Sequence, residues 1–258
     1  MQNNRFFAFG CSYTKYAWPT WADIVGIQYG GDYYNYGKHG AGNLYIHNII
    51  MQADQHYRFN NNDLIIVQWS GIDREDRYLG NEWYTKGNVL SAYPENYLEN
   101  YYDSRGFLIR DIALIKSIKE FLENKKSRYE FISMSPIKSL NKNVDDAAAN
   151  KSYSTTDEDI YNFYADVFEK IKPSFFDILG IFNNRPYEIR SGVIMNDAHR
   201  LPFENYEYLK KVLPEYLPVN ADELISDIQK QLIENWDPVH ATWHYDWKIM
   251  GRNVKKLL

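Results

Sequence analysis

The stretch Asp63–Trp69, DLIIVQW, constrains the fold of this chain more than any other. Its central residues are apolar at successive positions, so both faces of the strand they form must be covered. A half-exposed antiparallel strand would alternate apolar with polar side chains. This run instead reads as an inner strand of a parallel sheet with helices on both sides. Arg5–Phe9, RFFAF, has the same character and stops abruptly at Gly10-Cys11-Ser12. Between the two runs lie helical patterns and a short strand. Trp18–Ile27 places Trp21, Ile24 and Val25 on one face, Asp32–Tyr36 reads as a strand, and Asn43–His56 turns Leu44, Ile46, His47 and Ile50 toward a core. Further on, Phe107–Leu122 is a strongly amphipathic helix and Tyr129–Ser135 a strand stopped by Pro136. Strand and helix alternate, which predicts an α/β fold.

The remaining segments are less regular. Residues 76–104, rich in Tyr, Asn and Gly, read as an insertion over the strand ends, and 138–158 as a polar loop. A helix is expected near Glu158–Ile171, ended by Pro173, and Ser174–Phe182 fits either periodicity. Gly192–Asn196 reads as a last strand or a loop. Helices are expected over Phe203–Leu213 and Ala221–Trp236, with a final one from about Tyr245. No internal repeat or flexible linker interrupts the 258 residues, so 1–258 reads as a single domain with insertions near 76–104 and 138–158.

Composition excludes several classes. The formal net charge is -5 and no long Lys/Arg cluster occurs, which argues against a nucleic-acid partner. A single cysteine rules out an intrachain disulfide framework and a cysteine-rich zinc site. No apolar run spans a bilayer, so no membrane partner is expected. The apolar segment ahead of Cys11 is too short for a signal-peptide core. Tyrosine is abundant, at 23 residues, which suits sugar-stacking surfaces and coding bias equally well.

Open α/β sheets place their sites at the C-terminal ends of strands. Three segments fall there: Gly10-Cys11-Ser12, then NYGKHGAGN over Asn35–Asn43, then VQWSGIDRED over Val67–Asp76. Asp197 with His199, in NDAHRLP, and Asp237 with His240, in DPVHATWH, follow late in the chain. A sharp strand-to-helix turn presents one side chain at the sheet edge, and Ser12 is placed to be that side chain. Taken alone, Ser12 fits an ordinary βα turn equally well. Cys11, ending a buried strand, reads as an inert small hydrophobe. His39 reads as loop surface, and Asp73-Arg74 as a helix-capping pair in preference to a substrate clamp.

This order of motifs resembles the SGNH hydrolase superfamily, the GDSL-type esterases. FGCSYT looks like the nucleophile block with Cys11 in place of aspartate, and Asn35, Gly37 and Gly40 match the spacing of the second block. Ser70-Gly71-Ile72-Asp73 stands where the family has Gly-x-Asn-Asp. The string as a whole is similar to a subgroup common in bacteriophage and environmental sequences. The resemblance is good over residues 5–77 and thin in the middle of the chain. It implies a three-layer α/β/α sandwich of the SGNH/flavodoxin-like type, with a parallel sheet of about five strands. It also implies acyl transfer, with Ser12 as nucleophile, a histidine as base and an aspartate orienting it. The Ser12 and Gly40 N–H groups would form the oxyanion hole.

One position departs from the pattern. Ile72 stands where the third oxyanion donor belongs, and its side chain donates nothing. Loss of one such donor costs roughly 10²–10³ in rate. Either Asn43, Gln68 or Arg74 substitutes, or catalysis is weak or absent. The base is left open between two pairs. Subgroup context favours Asp197/His199, while motif spacing favours Asp237/His240. No metal or other cofactor is expected, although His240 and His244 do have the spacing of ligands on one helical face. The expected substrate is a small-molecule or carbohydrate ester, the acceptor water or a sugar hydroxyl, and protein partners are not indicated. The expected compartment is the cytoplasm, or a virion if the chain is phage-encoded. The alternative is a weak or inactive SGNH-fold structural or binding protein, for example a phage particle component.

Overall fold

The computed structural model describes residues 4–29, 31–137, 157–180, 186–190, 193–196, 199–234, 236–237 and 242–243. Its centre is a parallel sheet of four strands in the order β2-β1-β3-β6. β1 is Arg5–Gly10, β2 Asp32–Gly37, β3 Asp63–Trp69 and β6 Arg128–Ser133. Every residue of β3 is buried, as its unbroken apolar run requires. Aromatic side chains on β1 stack across to β2, with ring centroids of Phe6 and Tyr33 at 5.2 Å, Phe7 and Tyr34 at 4.8 Å, and Phe9 and Tyr36 at 5.1 Å.

Strand order decides where the helices go. Helix α1, Trp21–Tyr29, carries the chain outward from β1 to the edge strand β2. Helix α2, Asn43–Tyr57, carries it back over β1 to β3. Right-handed crossovers running in opposite directions put their helices on opposite faces. The long helix α5, Ser104–Lys125, leads from β3 to β6 in the same direction as α2 and packs beside it. Helices therefore cover both faces, giving an α/β sandwich.

Between β3 and α5 the chain makes an antiparallel hairpin, β4 Arg74–Leu79 and β5 Glu82–Asn88. Two short helices follow, α3 Val89–Ala92 and α4 Glu95–Tyr101. The expected insertion is thus ordered structure. Gly80 and Asn81 turn the hairpin with φ of 57° and 70°, the backbone that a two-residue hairpin turn of this kind needs.

After β6 come the short helices α6 Glu158–Phe163, α7 Ala165–Phe168 and α8 Phe175–Leu179. The ambiguous Ser174–Phe182 stretch is therefore helical at its start, and Ser174 and Asp177 form a reciprocal capping box there. Val193–Asn196, β8, pairs antiparallel with Pro186–Arg190, β7, outside the parallel sheet. Of the two readings of Gly192–Asn196, a last strand or a loop, Val193–Asn196 takes the strand, outside the parallel sheet, which has four described strands where about five were expected. Helix α9, Pro202–Val212, packs against α1, and α10, Ala221–Glu234, packs against α9. Trp236 belongs to a two-residue strand, not to α10. Most of the 138–158 loop and the helix expected from Tyr245 lie outside the described residues. Among the described residues no helix is long and apolar enough to cross a membrane.

Candidate functional site

Gly10 ends β1, and Gly40 and Ser70 lie just beyond the C-terminal ends of β2 and β3, on the same edge of the sheet. At Gly10 the backbone runs against its neighbours. A Cβ there would lie 2.0 Å from Thr14 Oγ1 and 3.0 Å from the Gln68 carbonyl, so only glycine lets the chain turn at this point. The turn itself is closed by the Thr14 N–H donating to the Cys11 carbonyl at 2.9 Å. It leaves Ser12 only 6% exposed, and among the described residues its hydroxyl has no hydrogen-bond partner. Cys11 points the other way into the core, with Sγ 4.0 Å from Met134 Sδ.

Asn35 fastens the second loop to the first. Its amide donates to the Thr14 carbonyl at 2.9 Å and its oxygen accepts from the Gly37 N–H at 2.9 Å. Gly40 has φ of +70°, and a Cβ would meet the Thr85 carbonyl at 2.7 Å. Its carbonyl accepts from the Gly87 N–H at 3.0 Å, so the β4–β5 hairpin braces this loop from outside. Neither the Ser12 N–H nor the Gly40 N–H donates to a described protein acceptor. Backbone N–H groups left undonated in this way are the kind of donor that suits a developing oxyanion.

A buried polar chain holds the third loop. Asp111, on α5, accepts from the Asn43 amide at 2.7 Å and from Arg110 Nε at 2.7 Å. Asn43 also donates to the Ser70 carbonyl at 3.2 Å and accepts from the Ser70 N–H at 2.8 Å. Asp76 accepts from the N–H groups of Gly42 and Tyr45 at 2.8 and 2.9 Å, placing a carboxylate at the start of α2. Burial pushes the Asp111 carboxyl up to about 7 and also raises that of Asp76. On the far side of the first loop, burial pushes Asp23 up to about 6.

These bonds correct two expectations. Asn43 spends both amide hydrogens on Asp111 and Ser70, so it is not free as an oxyanion donor. Asp73 and Arg74 do not cap a helix. Arg74 opens β4, and Asp73 accepts from the Tyr102 hydroxyl at 3.0 Å. Ile72 is 1% exposed and packs in the core, as expected. Gln68 accepts from Thr14 Oγ1 at 2.8 Å, while its Nε2 is sealed from solvent with no partner among the described residues. Sequence reasoning missed Asp111 altogether, although an acid within the apolar stripe Leu108, Ile112, Ile115 signals a buried partner.

Of the late pairs, His199 comes to this corner. Its ring stacks on Tyr16 at 3.6 Å between centroids and lies 5.6 Å from Tyr13 and 6.1 Å from His39. The next residue is pinned in place, because the Arg200 carbonyl accepts from Trp18 Nε1 at 2.8 Å and from the Asn205 amide at 2.9 Å. Asn205 Oδ1 in turn accepts from the Trp21 N–H at 3.1 Å. No hydrogen bond joins Ser12 to His199 in this arrangement. Asp197 and His240 lie outside the described residues, and Asp237 enters only as backbone, in the strand Trp236–Asp237. Among the described residues no group of three or more His, Cys, Asp or Glu side chains is placed to hold a metal ion.

No protein-family model matches the chain, and no curated protein matches it. Its fold is similar to that of the psychrotrophic esterase EstA from Pseudoalteromonas sp., with a TM-score of 0.39, 12% identity, and coverage of 88% of this chain and 97% of the other. It is also similar to a protein from Streptococcus pneumonia described as a platelet activating factor, with a TM-score of 0.39, 15% identity, and coverage of 84% and 85%.

Proposed function

We propose that the chain is a serine esterase of SGNH type, one domain that transfers acyl groups from small-molecule or carbohydrate esters to water. The observation that supports this most is a convergence at one sheet edge. The unpartnered hydroxyl of Ser12, the undonated N–H groups of Ser12 and Gly40, and the ring of His199 come from distant parts of the sequence. In this reading Ser12 Oγ bonds to the ester carbonyl carbon and its proton passes to the His199 imidazole. The carbonyl electron pair moves onto oxygen, facing the two N–H groups. Collapse expels the alcohol, which takes the proton from the imidazolium. Water then repeats the sequence on the acyl-serine. Asp197 orients the base, with Asp237/His240 the alternative pair.

Hydrolysis of p-nitrophenyl acetate by the purified protein tests the reading. Ser12→Ala should abolish it and Cys11→Ala should not. His199→Ala against His240→Ala should separate the two pairs. The missing Ser12–His199 hydrogen bond favours a second reading, a non-catalytic member of the fold. Absence of Ser12-dependent turnover on several acyl esters would establish that one.

A further inference from the structure

We propose that Arg74 is a catalytic residue whose guanidinium supports the negative charge that develops on the ester carbonyl oxygen, completing the set begun by the Ser12 and Gly40 N–H groups; this rests on the esterase reading. Arg74 opens β4, directly past the end of β3, and a Cβ on Gly42 would meet its own Cβ at 2.8 Å. Its head then reaches across the sheet edge. Nη1 donates to the Ala41 carbonyl at 2.9 Å, one residue from Gly40. Nη2 lies 3.5 Å from Met134 Sδ, and that sulfur is 4.0 Å from Cys11 Sγ, one residue from Ser12. The guanidinium is thus bonded to the loop that carries Gly40 and reaches Met134, which packs against the core-facing side chain of Cys11 in the loop that carries Ser12. Its charge also reaches the neighbouring side chain: burial raises the Tyr13 phenol, and Arg200 and Arg74 pull it back.

What surrounds that charge matters as much. Among the described residues no carboxylate lies within ion-pair distance of Arg74. Arg5, Arg105, Arg110 and Arg200 all have one. Arg74 meets a carbonyl and a thioether, both neutral, and it is only partly buried. A guanidinium has five N–H donors in a fixed fork, so the Ala41 and Met134 contacts leave donors over. The other two sources for a third donor are closed: Asn43 is fully committed, and Gln68 Nε2 is sealed from solvent. When Ser12 Oγ bonds to the carbonyl carbon and the π pair moves to oxygen, that oxygen gains a full negative charge. A guanidinium with donors to spare and no direct ion pair among the described residues, although Asp76 lies within its field, would stabilise that charge more than the neutral ester.

The experiment compares Arg74→Gln and Arg74→Lys with wild type, using p-nitrophenyl acetate turnover, thermal melts, and the rate at which a p-nitrophenyl alkylphosphonate labels Ser12. Arg74→Gln should lower kcat by roughly 10²–10³-fold with KM nearly unchanged, and slow labelling in parallel. Arg74→Lys keeps the charge but cannot hold the Ala41 carbonyl and the oxyanion together, so its kcat should fall at least about tenfold. If Arg74→Gln does not fold, Arg74→Lys decides. A folded variant that keeps kcat within about threefold, or that changes KM alone, overturns the role of Arg74 while leaving the esterase reading intact. Wild-type protein with neither Ser12-dependent turnover nor labelling overturns the esterase reading, and this inference with it.

Discussion

The loops at the sheet edge and the β4–β5 hairpin beside them are held by opposite means. In the loops, buried side chains pair in specific directions: Asn35 with Thr14, Asn43 with Ser70 and Asp111, Asp76 with the start of α2. The hairpin and the short helices after it present aromatic rings and cations to solvent. Tyr93 stacks on Tyr97 at 4.4 Å between centroids, Arg77 lies over both rings at 5.8 and 5.6 Å, and Lys86 lies over Tyr84 and Tyr93 at 5.3 and 5.2 Å. Tyr78, Tyr84 and Tyr101 are exposed. Buried directional bonds fix positions to a fraction of an ångström because an unmade bond is costly there. Solvated ring–cation contacts are weaker and tolerate movement. Directional bonding is thus concentrated in the loops at the sheet edge.

The largest contrast should come from the apolar core against the hairpin tip. Ile66→Ala on β3 should cost about 2–5 kcal/mol in urea unfolding, and Leu79→Ala within about 0.5 kcal/mol. Comparable losses would break the contrast. Next come two glycines of similar backbone. Gly40→Ala meets the Thr85 carbonyl and should cost about 1–3 kcal/mol and remove ester turnover. Gly80→Ala, at φ of 57° with nothing within 4 Å of the added carbon, should cost about 1 kcal/mol and spare turnover.

A smaller effect should appear with pH. Asp111 and Asp23 hold their protons in the folded chain up to about 7 and about 6, above the ordinary carboxylate range. Between that range and neutrality the folded state binds protons that the unfolded chain has released. Stability therefore falls as pH rises through this window, and chemical unfolding at pH 5.5 and 7.5 should show the difference. Asp111→Asn should flatten the slope. The smallest effect is expected on the hairpin side, where Arg77→Ala should cost no more than about 1 kcal/mol.

Much of this arrangement is legible in the sequence. Phe6–Phe9 and Asp63–Trp69 announce buried strands because no alternation survives in them, and the glycines after them mark where the chain turns. The helix boundaries followed local chemistry. Thr20 and Asp23 exchange hydrogen bonds at the start of α1, which therefore begins at Trp21 after Pro19 instead of at Trp18. The hairpin was legible too, in the Gly80-Asn81 pair between strand-like runs, but the polar composition of 76–104 obscured it. What local pattern could not supply was partnership over distance. Nothing near Asn43 says that an acid 68 residues later takes its amide, and nothing near Arg74 says that it comes to rest against Ala41 and Met134.

The hydrogen bond from Trp18 to the Arg200 carbonyl spans 182 residues. It has a consequence in time as well as in space. The sheet can be assembled within Arg5–Ser133, its parallel pairings closing loops much shorter than that span. The corner holding His199 requires the chain to close on itself across most of its length, which is entropically slow. During refolding, amide protection in β1 and β3 should therefore precede protection of the α1–α9 contact. A growing chain would carry an ordered sheet well before it carried a complete site.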